Sequence, residues 1–370
     1  MKPTMGIILN NPSIDLGALT EIRSVITLPF ASRYRLIDFA LSNMVNSKID
    51  KIGVFASNKY RSLIDHIGTG QEWSMARKSQ DLIILQGGVP NYMGNRTTRI
   101  NLADFYDNFG LFSRNTYSDL VISASNMVCN IDLAPVMRQH TETDADVTLV
   151  TKRIVSALDQ SGDDVGIQGG EGNRVVGLSD NNNQGFDRVY LDMMIIRGSL
   201  LTRAIRDSLT TRSYDLIDVI ARYIGELKVY FFDYPGYFRK INSIQSYYTA
   251  SMDMLNPVIT SRLFNPERWI STKVKDNPPT RYTKNAQVVN SLVASGCTVE
   301  GYLNSSVIFR HNSIGTGTTV NGSIIMEDCS IGRNVILENV ILDRMVTISD
   351  DVVLQGTPEN PVVLGKGVKI

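Results

Sequence analysis

The C-terminal part of the chain, residues 286–370, carries the pattern that most restricts the fold. Aliphatic or aromatic residues recur there every six positions, with two steps that shorten to five: Tyr302, Ile308, Ile314, Val320, Ile325, Ile331, Ile336, Leu342, Ile348 and Leu354. This period, with one inward side chain on each face, is typical of a left-handed hexapeptide β-helix. A β-sandwich would instead show alternating strands with longer turns. We therefore predict a β-helix over residues 286–370.

The first 256 residues alternate strand and helix patterns. Apolar strand segments are Gly6–Leu9, Lys51–Ser57, Asp81–Leu85, Asp119–Ser125 and Asp146–Lys152. Helical spacing is found in Leu36–Ser47, Tyr60–Ile67, Leu102–Phe112, Leu133–His140 and Asn242–Pro257. Strands separated by helices need crossover connections, so we predict a Rossmann-like α/β domain with a mostly parallel sheet over residues 1–256. Residues 257–285 are predicted to be a linker.

Composition narrows the class of protein. The formal net charge is zero, which argues against a general nucleic-acid binder because such proteins usually carry a basic excess. The three cysteines are widely spaced and form no zinc motif. We find no secretory signal and no run near the roughly 20 apolar residues of a membrane span, and we expect a cytoplasmic protein.

One long stretch carries a family resemblance. The segment "SRYRLIDFALSNMVNSKIDKIGVFASNKYRSLIDHI", Ser32 to Ile67, resembles the diagnostic region of ADP-glucose pyrophosphorylases, the glucose-1-phosphate adenylyltransferases. The segment "YFRKINSIQSYYTASMDML" is similar to the region that precedes the β-helix in that family. The resemblance covers essentially the whole chain. It implies a nucleotidyltransferase-like domain whose relatives join glucose 1-phosphate to ATP and release pyrophosphate.

That reaction requires backbone N–H groups around the triphosphate, basic residues and Mg²⁺ held by carboxylates. The family's glycine-rich loop follows the first strand, where this chain has Asn10, Asn11 and Pro12. Pro12 lacks an N–H donor, and the only ionisable residue of the loop, Asp15, has the wrong charge for phosphate. The phosphate loop is therefore interpreted as degenerate.

The resemblance also points to altered metal and sugar-phosphate positions. The family's metal-binding aspartate at the end of the central strand corresponds to Asn126, and a second one corresponds to Lys240. The lysine of the family's sugar-phosphate segment corresponds to Leu178. Asp132 is the one retained family acid, and a helix N-cap is the more ordinary role for it. We therefore expect no catalytic residue, no bound metal and no cofactor, with Mg²⁺ and ATP needed only if the chain is active.

Arg33 and Arg35 are the candidates for binding a phosphate effector. The resemblance implies that basic residues here lie near an activator site between the domains, and the guanidinium fork suits phosphate groups. Arg310 in the β-helix is a weaker candidate, and each arginine could equally be structural. His311 is an unconvincing match to the catalytic histidine of hexapeptide acyltransferases.

The combined pattern resembles the non-catalytic, GlgD-type subunit of that family. It implies a regulatory partner of a catalytic ADP-glucose pyrophosphorylase subunit in glycogen biosynthesis, in a heterotetramer. Self-association and a phosphosugar effector are further expectations, whereas nucleic acid and membrane partners are not expected. Two alternatives stay open: an active glucose-1-phosphate adenylyltransferase with a diverged loop, and a sugar-phosphate or nucleotide sensor.

Overall fold

A computed structural model describes residues 4–11, 13–56, 59–75, 81–87, 100–112, 117–154, 164–179, 186–211 and 215–370. Its N-terminal domain is built on a nine-stranded sheet. In chain order, with the short strands included, the strands are β1 Thr4–Leu9, β2 Pro29–Phe30, β3 Tyr34–Arg35, β4 Lys51–Ala56, β5 Asp81–Gln86, β6 Asp119–Ala124, β7 Met127–Val128, β8 Val147–Arg153, β9 Gly166–Gly169, β10 Val175–Ser179, β11 Arg188–Arg197, β12 Val229–Asp233 and β13 Arg239–Lys240.

The nine strands of the large sheet mostly run in one direction, as predicted. The main order is β10-β9-β11-β6-β1-β4-β5, and β8 joins β11 to β12. Strands β1, β4, β5 and β6 are mutually parallel, and β8, β9 and β12 share their direction. Among the described strands of this sheet, only β10 and β11 run in the opposite direction. The carboxyl ends of β1 and β6 therefore lie side by side at one edge.

Helices cover the sheet where the apolar spacing predicted them, with two differences. The helices are α1 Leu36–Asn46, α2 Arg61–Ile67, α3 Leu102–Asp107, α4 Phe109–Phe112, α5 Ala134–Glu142, α6 Gly198–Thr211, α7 Leu216–Arg222, α8 Ile244–Asp253 and α9 Pro257–Leu263. The single helix predicted over Leu102–Phe112 is wrong, because the chain breaks at Asn108, whose amide bonds to the Gln86 and Asp104 carbonyls. The helix predicted to run to Pro257 ends earlier, at Asp253, and Pro257 instead starts α9, where proline's missing N–H costs nothing.

The C-terminal domain is a β-helix whose strands stack in three five-stranded parallel sheets. The strands are β14 Arg281–Tyr282, β15 Gln287–Val289, β16 Leu292–Val293, β17 Thr298–Val299, β18 Tyr302–Asn304, β19 Val307–Ile308, β20 Ser313–Ile314, β21 Thr319–Asn321, β22 Ile324–Ile325, β23 Ser330–Ile331, β24 Ile336–Glu338, β25 Val340–Leu342, β26 Thr347–Ile348, β27 Val353–Gln355 and β28 Val362–Leu364. The predicted hexapeptide architecture is confirmed.

Two residues of the predicted inward series are wrong by one position. Leu303 and Leu337 fill the interior, whereas their neighbours Tyr302 and Ile336 face outward, with Ile336 41% exposed. The ladder pairs Leu303 with Val320 and Val320 with Leu337, so successive coils are 17 residues apart. Within one coil, successive inward side chains are therefore six, six and five residues apart. The five-residue step comes before β19, β22 and β25, whereas the sequence series placed one of its short steps before β24.

Polar side chains at the corners reinforce this 17-residue repeat. Thr318 Oγ1 accepts from the Val335 N–H at 3.1 Å, and Ser323 Oγ accepts from the Val340 N–H at 3.0 Å, each across 17 residues. Corner residues with positive φ recur at the same interval, as at Gly322 (φ 55°). Such corners favour glycine and asparagine, which tolerate the left-handed region at least cost.

The passage predicted as a linker over residues 257–285 is partly structured. It contains α9, and Arg281–Tyr282 already pairs with the next coil as β14. One apolar cluster spans both domains, because Phe309, Ile324 and Met326 of the β-helix are buried with residues of α1 and α8. The β-helix therefore packs against the N-terminal domain through a continuous core. Within the described residues, no helix has the length and apolar character needed to cross a membrane.

Candidate functional site

A cavity of about 270 Å³ opens at the carboxyl ends of β1 and β6. Leu9 and Ala124 form its floor at the ends of those strands, while Ile14 and Ile100 add apolar walls. The polar lining residues are Asn11, Ser13, Asp15, Asn126, Asp192, Lys240 and Asn242. Ligands of parallel α/β sheets sit at such strand ends, so this cavity is the candidate site that the sequence predicted.

The loop after β1 is held by its own side chains rather than by glycines. Asp15 Oδ1 accepts from the Gly17 N–H at 2.9 Å and from the Thr20 hydroxyl at 3.0 Å, and Asn11 Oδ1 accepts from the Ser13 N–H at 3.0 Å. Asn10 is buried, and its amide group makes no hydrogen bond within the described part of the chain. Pro12 lies outside the described residues. Two backbone N–H groups of this loop, those of Ser13 and Gly17, thus already donate to side-chain oxygens of the loop itself.

The end of β6 is occupied by internal hydrogen bonds. Ser125 Oγ donates to the Leu9 carbonyl at 2.5 Å, which ties β6 to β1. Asn126 Nδ2 donates to the Ile241 carbonyl at 3.0 Å, and the Ile241 N–H donates back to the Asn126 carbonyl at 2.7 Å. Asn126 therefore fastens the β13 segment to the end of β6, which brings the neighbouring Lys240 into the cavity.

Lys240 forms the main electrostatic feature of the cavity. Its ammonium group contacts the Asp192 carboxylate directly and lies 3.5 Å from Asp164 Oδ1. All three side chains are at most 15% exposed. The sequence interpretation missed both carboxylates. Asp192 sits in the otherwise apolar strand "RVYLDMMIIR" with a φ of 52°, and an acid interrupting such a strand is a signal that could have found it.

The side chains around the cavity do not fit Mg²⁺ or a polyphosphate. The buried carboxylates of Asp192 and Asp164 already neutralise the ammonium group of Lys240, so a divalent cation bound between them would have to displace Lys240. Among the described residues, no group of three or more His, Cys, Asp or Glu side chains could hold a metal ion. A triphosphate entering the cavity would meet Asp15 and Asp192, and Lys240, the one cation among the described lining residues, is already paired.

The other positions named from the sequence lie outside the cavity lining. Leu178 sits on β10, pairs with Ile167 and packs against the apolar core. Asp132 Oδ1 accepts from the Ala134 N–H at 3.0 Å at the start of α5 and lies 3.1 Å from Arg268 Nη1. The N-cap position of α5 is Leu133, which has no side-chain cap bond, so Asp132 stands one residue before the cap that the sequence suggested for it.

The two candidate effector arginines lie where the domains meet. Arg33 is exposed and stands over the Tyr34 ring at 5.9 Å. Arg35 Nη1 donates to the carbonyl and hydroxyl oxygens of Ser62, both at 2.9 Å. Burial lowers the pKa of Arg35, although the carboxylate of Glu327 in the β-helix acts in the opposite direction.

Arg310, the weaker candidate, has the more unusual environment. Its side chain is 6% exposed, and within the described residues no hydrogen bond or ion pair reaches its guanidinium group. Burial lowers the pKa of Arg310, while nearby Glu327 raises it and Arg33 lowers it further. The structure thus places Arg35 and Arg310 near one carboxylate, that of Glu327, and Arg33 near Arg310.

Glu327 is the carboxylate at the centre of this group. Lys275 Nζ lies 3.1 Å from both of its oxygens, and Arg344 Nη2 lies 3.2 Å from Oε2. Burial opposes ionisation of this side chain, but Lys275, Arg344 and Arg35 outweigh burial and hold the pKa of Glu327 below its usual value. We call these residues the junction cluster: Arg33, Arg35, Lys275, Arg310, Glu327 and Arg344.

His311 and the cysteines have no site of their own. His311 is about half exposed at a β-helix corner, with Nδ1 3.3 Å from Asp328 Oδ1. Burial raises the pKa of the Cys129 and Cys329 thiols to about 12, so both are unreactive at neutral pH. Cys297 is buried as well, and its pKa is also raised by burial.

The fold and the strand-end cavity define the class: a nucleotidyltransferase-type α/β domain joined to a hexapeptide β-helix. A family model for nucleotidyl transferases matches residues 16–162, and a model for the GlmU-like C-terminal hexapeptide domain matches residues 277–360. The chain belongs to the family that contains the bacterial GlgD proteins and the glucose-1-phosphate adenylyltransferases.

Three relatives support this membership. The chain is 35% identical over 355 residues to glycogen biosynthesis protein GlgD of Bacillus subtilis (strain 168), covering 96% of the chain and 93% of the relative. It is 36% identical to GlgD of Geobacillus stearothermophilus, covering 95% and 92%. It is 30% identical to glucose-1-phosphate adenylyltransferase of Thermomicrobium roseum, covering 93% and 81%.

Proposed function

We propose that this chain is a non-catalytic regulatory subunit of ADP-glucose pyrophosphorylase in glycogen biosynthesis. The observation that carries the proposal is the contact of Lys240 with Asp192 and Asp164 inside the strand-end cavity. A tethered ammonium group takes the position from which two carboxylates could otherwise hold a divalent cation. Its glycogen-related role is inferred from relatives that are named glycogen biosynthesis protein GlgD.

The charge balance around the cavity supports the loss of phosphoryl chemistry. Transfer of a nucleotidyl group places developing negative charge on the phosphates, which donors and cations must stabilise. Here the cation is cancelled by its two neighbours, and the loop carboxylate Asp15 faces the cavity. Asp132, the retained acid, is fixed at a helix start beside Arg268. No step of the transfer can therefore be assigned to these side chains.

The junction cluster is the proposed site of regulation. Arg310 is buried, Arg33 lies close to it, and both Arg310 and Arg35 lie near the Glu327 carboxylate. A phosphate group bound there would receive charge-assisted hydrogen bonds from guanidinium groups. Because the cluster joins the segment just before α1 to the β-helix, a phosphosugar bound there would contact both domains.

A mixed assay tests the proposed function. Pyrophosphate release from ATP and glucose 1-phosphate is measured with this chain alone, with a glucose-1-phosphate adenylyltransferase from the same organism alone, and with both. We expect no turnover by this chain alone and an altered rate or effector response in the mixture. Turnover by the isolated chain that Asp132→Ala abolishes would establish the active-enzyme alternative. Tight phosphosugar binding without any effect on the partner would establish the sensor.

A thermal-shift assay tests the effector site separately. Phosphosugars and inorganic phosphate should raise the melting temperature of the unmodified chain, and Arg310→Met should remove most of that rise. Arg333→Met is the matched control, because Arg333 is an exposed arginine of the β-helix that pairs with Asp350. An equal rise in both variants would exclude the junction cluster as the anion site.

A further inference from the structure

A buried carboxylate and a buried histidine meet between α1 and α2. Asp38 of α1 is 0% exposed and His66 of α2 is 7% exposed, and His66 Nε2 lies 2.5 Å from Asp38 Oδ1. Neither side chain lines the strand-end cavity or belongs to the junction cluster. Taking a carboxylate and an imidazole out of water is costly even when they are paired, so their burial here needs an explanation.

The second oxygen of Asp38 holds the backbone of Arg35. Asp38 Oδ2 accepts from the Arg35 N–H at 2.9 Å. Arg35 directly precedes α1 and Asp38 is the third residue of that helix, the position from which an acidic side chain reaches back to the N-cap N–H. Asp38 therefore fixes the backbone of Arg35 with one oxygen, while its other oxygen contacts His66.

The helix that carries His66 also holds the side chain of Arg35. Arg35 Nη1 donates to both the carbonyl and the hydroxyl oxygen of Ser62. Ser62 and His66 are four residues apart on α2, so they lie on the same face of that helix. Arg35, Asp38, His66 and Ser62 thus form a closed ring of contacts. One face of α2 holds the Arg35 guanidinium directly, and it holds the Arg35 backbone through Asp38.

Trp73 fixes the orientation of the His66 ring. The indole meets the imidazole edge-on, with ring centroids 6.0 Å apart and an interplanar angle of 70°. Trp73 Nε1 donates to Ser42 Oγ at 3.2 Å, and Ser42 lies one turn after Asp38 on α1. The carboxylate of Asp38 and the indole of Trp73, each attached to α1, therefore hold the imidazole together.

A guanidinium held in this way is prepared for a phosphate group. Both Ser62 contacts are to Nη1, and the opposite edge of the fork, formed by Nε and Nη2, suits two phosphate oxygens. An arginine that is already ordered loses less side-chain freedom when an anion binds, so the same contacts give a higher affinity. A movement of α2 relative to α1 would shift Ser62 and with it the Arg35 guanidinium.

We propose that Asp38 and His66 are positioning residues of the junction cluster, which hold α2 against the start of α1 so that Arg35 is presented to a phosphate group. The inference rests on the proposed function, in which this cluster is the anion site. It adds two residues that do not touch the anion themselves. It also gives the buried pair a role that packing alone does not require, because apolar side chains would pack there without the cost of desolvation.

The experiment measures the affinity of the full-length chain for inorganic phosphate by phosphorus nuclear magnetic resonance titration. His66→Gln keeps a side-chain N–H at the reach of Nε2, whereas His66→Asn carries the same amide one methylene shorter and cannot reach Asp38. His140→Gln is the matched control: His140 is a buried histidine of α5 that contacts Thr148 Oγ1 through Nδ1 at 2.8 Å, and Gln does not reproduce that position. Ser62→Ala tests the other end of the ring at a half-buried residue. Melting temperatures report the stability of each variant.

We expect His66→Asn to raise the dissociation constant for phosphate about tenfold, and His66→Gln to stay close to the unmodified chain. Ser62→Ala should cause a smaller loss of affinity, because the Ser62 carbonyl remains. His140→Gln should lower the melting temperature without changing the affinity. A similar loss of affinity in His140→Gln would show a general effect of destabilisation and would overturn the positioning role.

The remaining outcomes separate this inference from the proposed function. Phosphate binding that Arg310→Met abolishes, but that neither His66→Asn nor Ser62→Ala weakens, would overturn the positioning role and leave the anion site standing. If His66→Asn does not fold, an unchanged affinity in Ser62→Ala overturns it by itself. An absence of phosphate binding by the unmodified chain would overturn the anion site together with this inference, whereas the non-catalytic role is decided independently by the mixed assay.

Discussion

Arg23 and Asp343 form an ion pair between the two domains with side chains only 5% and 0% exposed. Arg23 follows the loop after β1, and its Nε also donates to the Leu19 carbonyl at 3.0 Å. Asp343 follows β25 and accepts from the Arg344 N–H at 2.6 Å. The wall of the strand-end cavity is thereby fixed to the β-helix, next to the junction cluster to which Arg344 belongs.

Asp343→Asn should destabilise the chain strongly. The change leaves the buried Arg23 guanidinium without its counter-charge, and breaking one half of a buried pair costs about 3–5 kcal/mol. Urea unfolding followed by circular dichroism measures the difference. Asp351→Asn is the control, because Asp351 is an exposed β-helix residue that accepts one bond from Asn334. Equal urea midpoints for the two variants would show that the Arg23–Asp343 pair adds no more to stability than an exposed hydrogen bond does.

Lys240→Met should convert the strand-end cavity from an occupied to an open cation site. Without the ammonium group, Asp192 and Asp164 face each other in a poorly hydrated space, so the melting temperature should fall. Mg²⁺ or Mn²⁺ should then restore part of the loss, while leaving the unmodified chain unaffected. Lys228→Met, at an exposed pair with Asp144, is the control and should show neither effect. Identical metal responses in all three proteins would contradict the assignment of Lys240 as a tethered cation.

Acid should weaken the contact between the domains through Glu327. Since surrounding cations hold its pKa below the usual 4.5, its contribution to stability is present above that value and is lost as the pH falls through the folded-state pKa. Glu327→Gln should therefore be less stable than the unmodified chain at pH 7, and the difference should shrink below about pH 4.5. Melting temperatures across this range measure it, with Glu338→Gln as the control. A difference independent of pH would contradict the electrostatic explanation.

The fold was largely predictable because its signals are periodic. Helical spacing located α1 and the six-residue series located the β-helix, since each pattern reports which side of an element is buried. The break between α3 and α4 at Asn108 was not predictable in this way, because it depends on a hydrogen bond to the carbonyl of Gln86 in β5, which is distant in sequence. The same holds for the start of the β-helix, where β14 is defined only by its pairing with β17.

The residue types at the candidate site could be compared with the family pattern from the sequence, whereas the contacts among them could not be predicted. The resemblance predicted that Lys240 and Asn126 replace metal-binding acids of the family. It could not show that Asp192 and Asp164 converge on Lys240, because these residues come from separate parts of the chain and meet only in the folded sheet. The burial of Arg310 likewise depends on how the domains pack, which the local sequence does not encode.

Neighbouring substitutions on β24 test the 17-residue coil. Leu337 is fully buried between Val320 and Leu354, whereas Ile336 faces solvent on the same strand. Leu337→Ala should leave a cavity and cost about 2–5 kcal/mol. Ile336→Ala is the matched control. It should cost well under half as much, because the Ile336 side chain buries little apolar area in the folded chain. Urea unfolding of both variants tests which residue faces inward. A larger loss of stability for Ile336→Ala than for Leu337→Ala would mean that Ile336 faces inward and Leu337 outward, as the six-residue series first predicted.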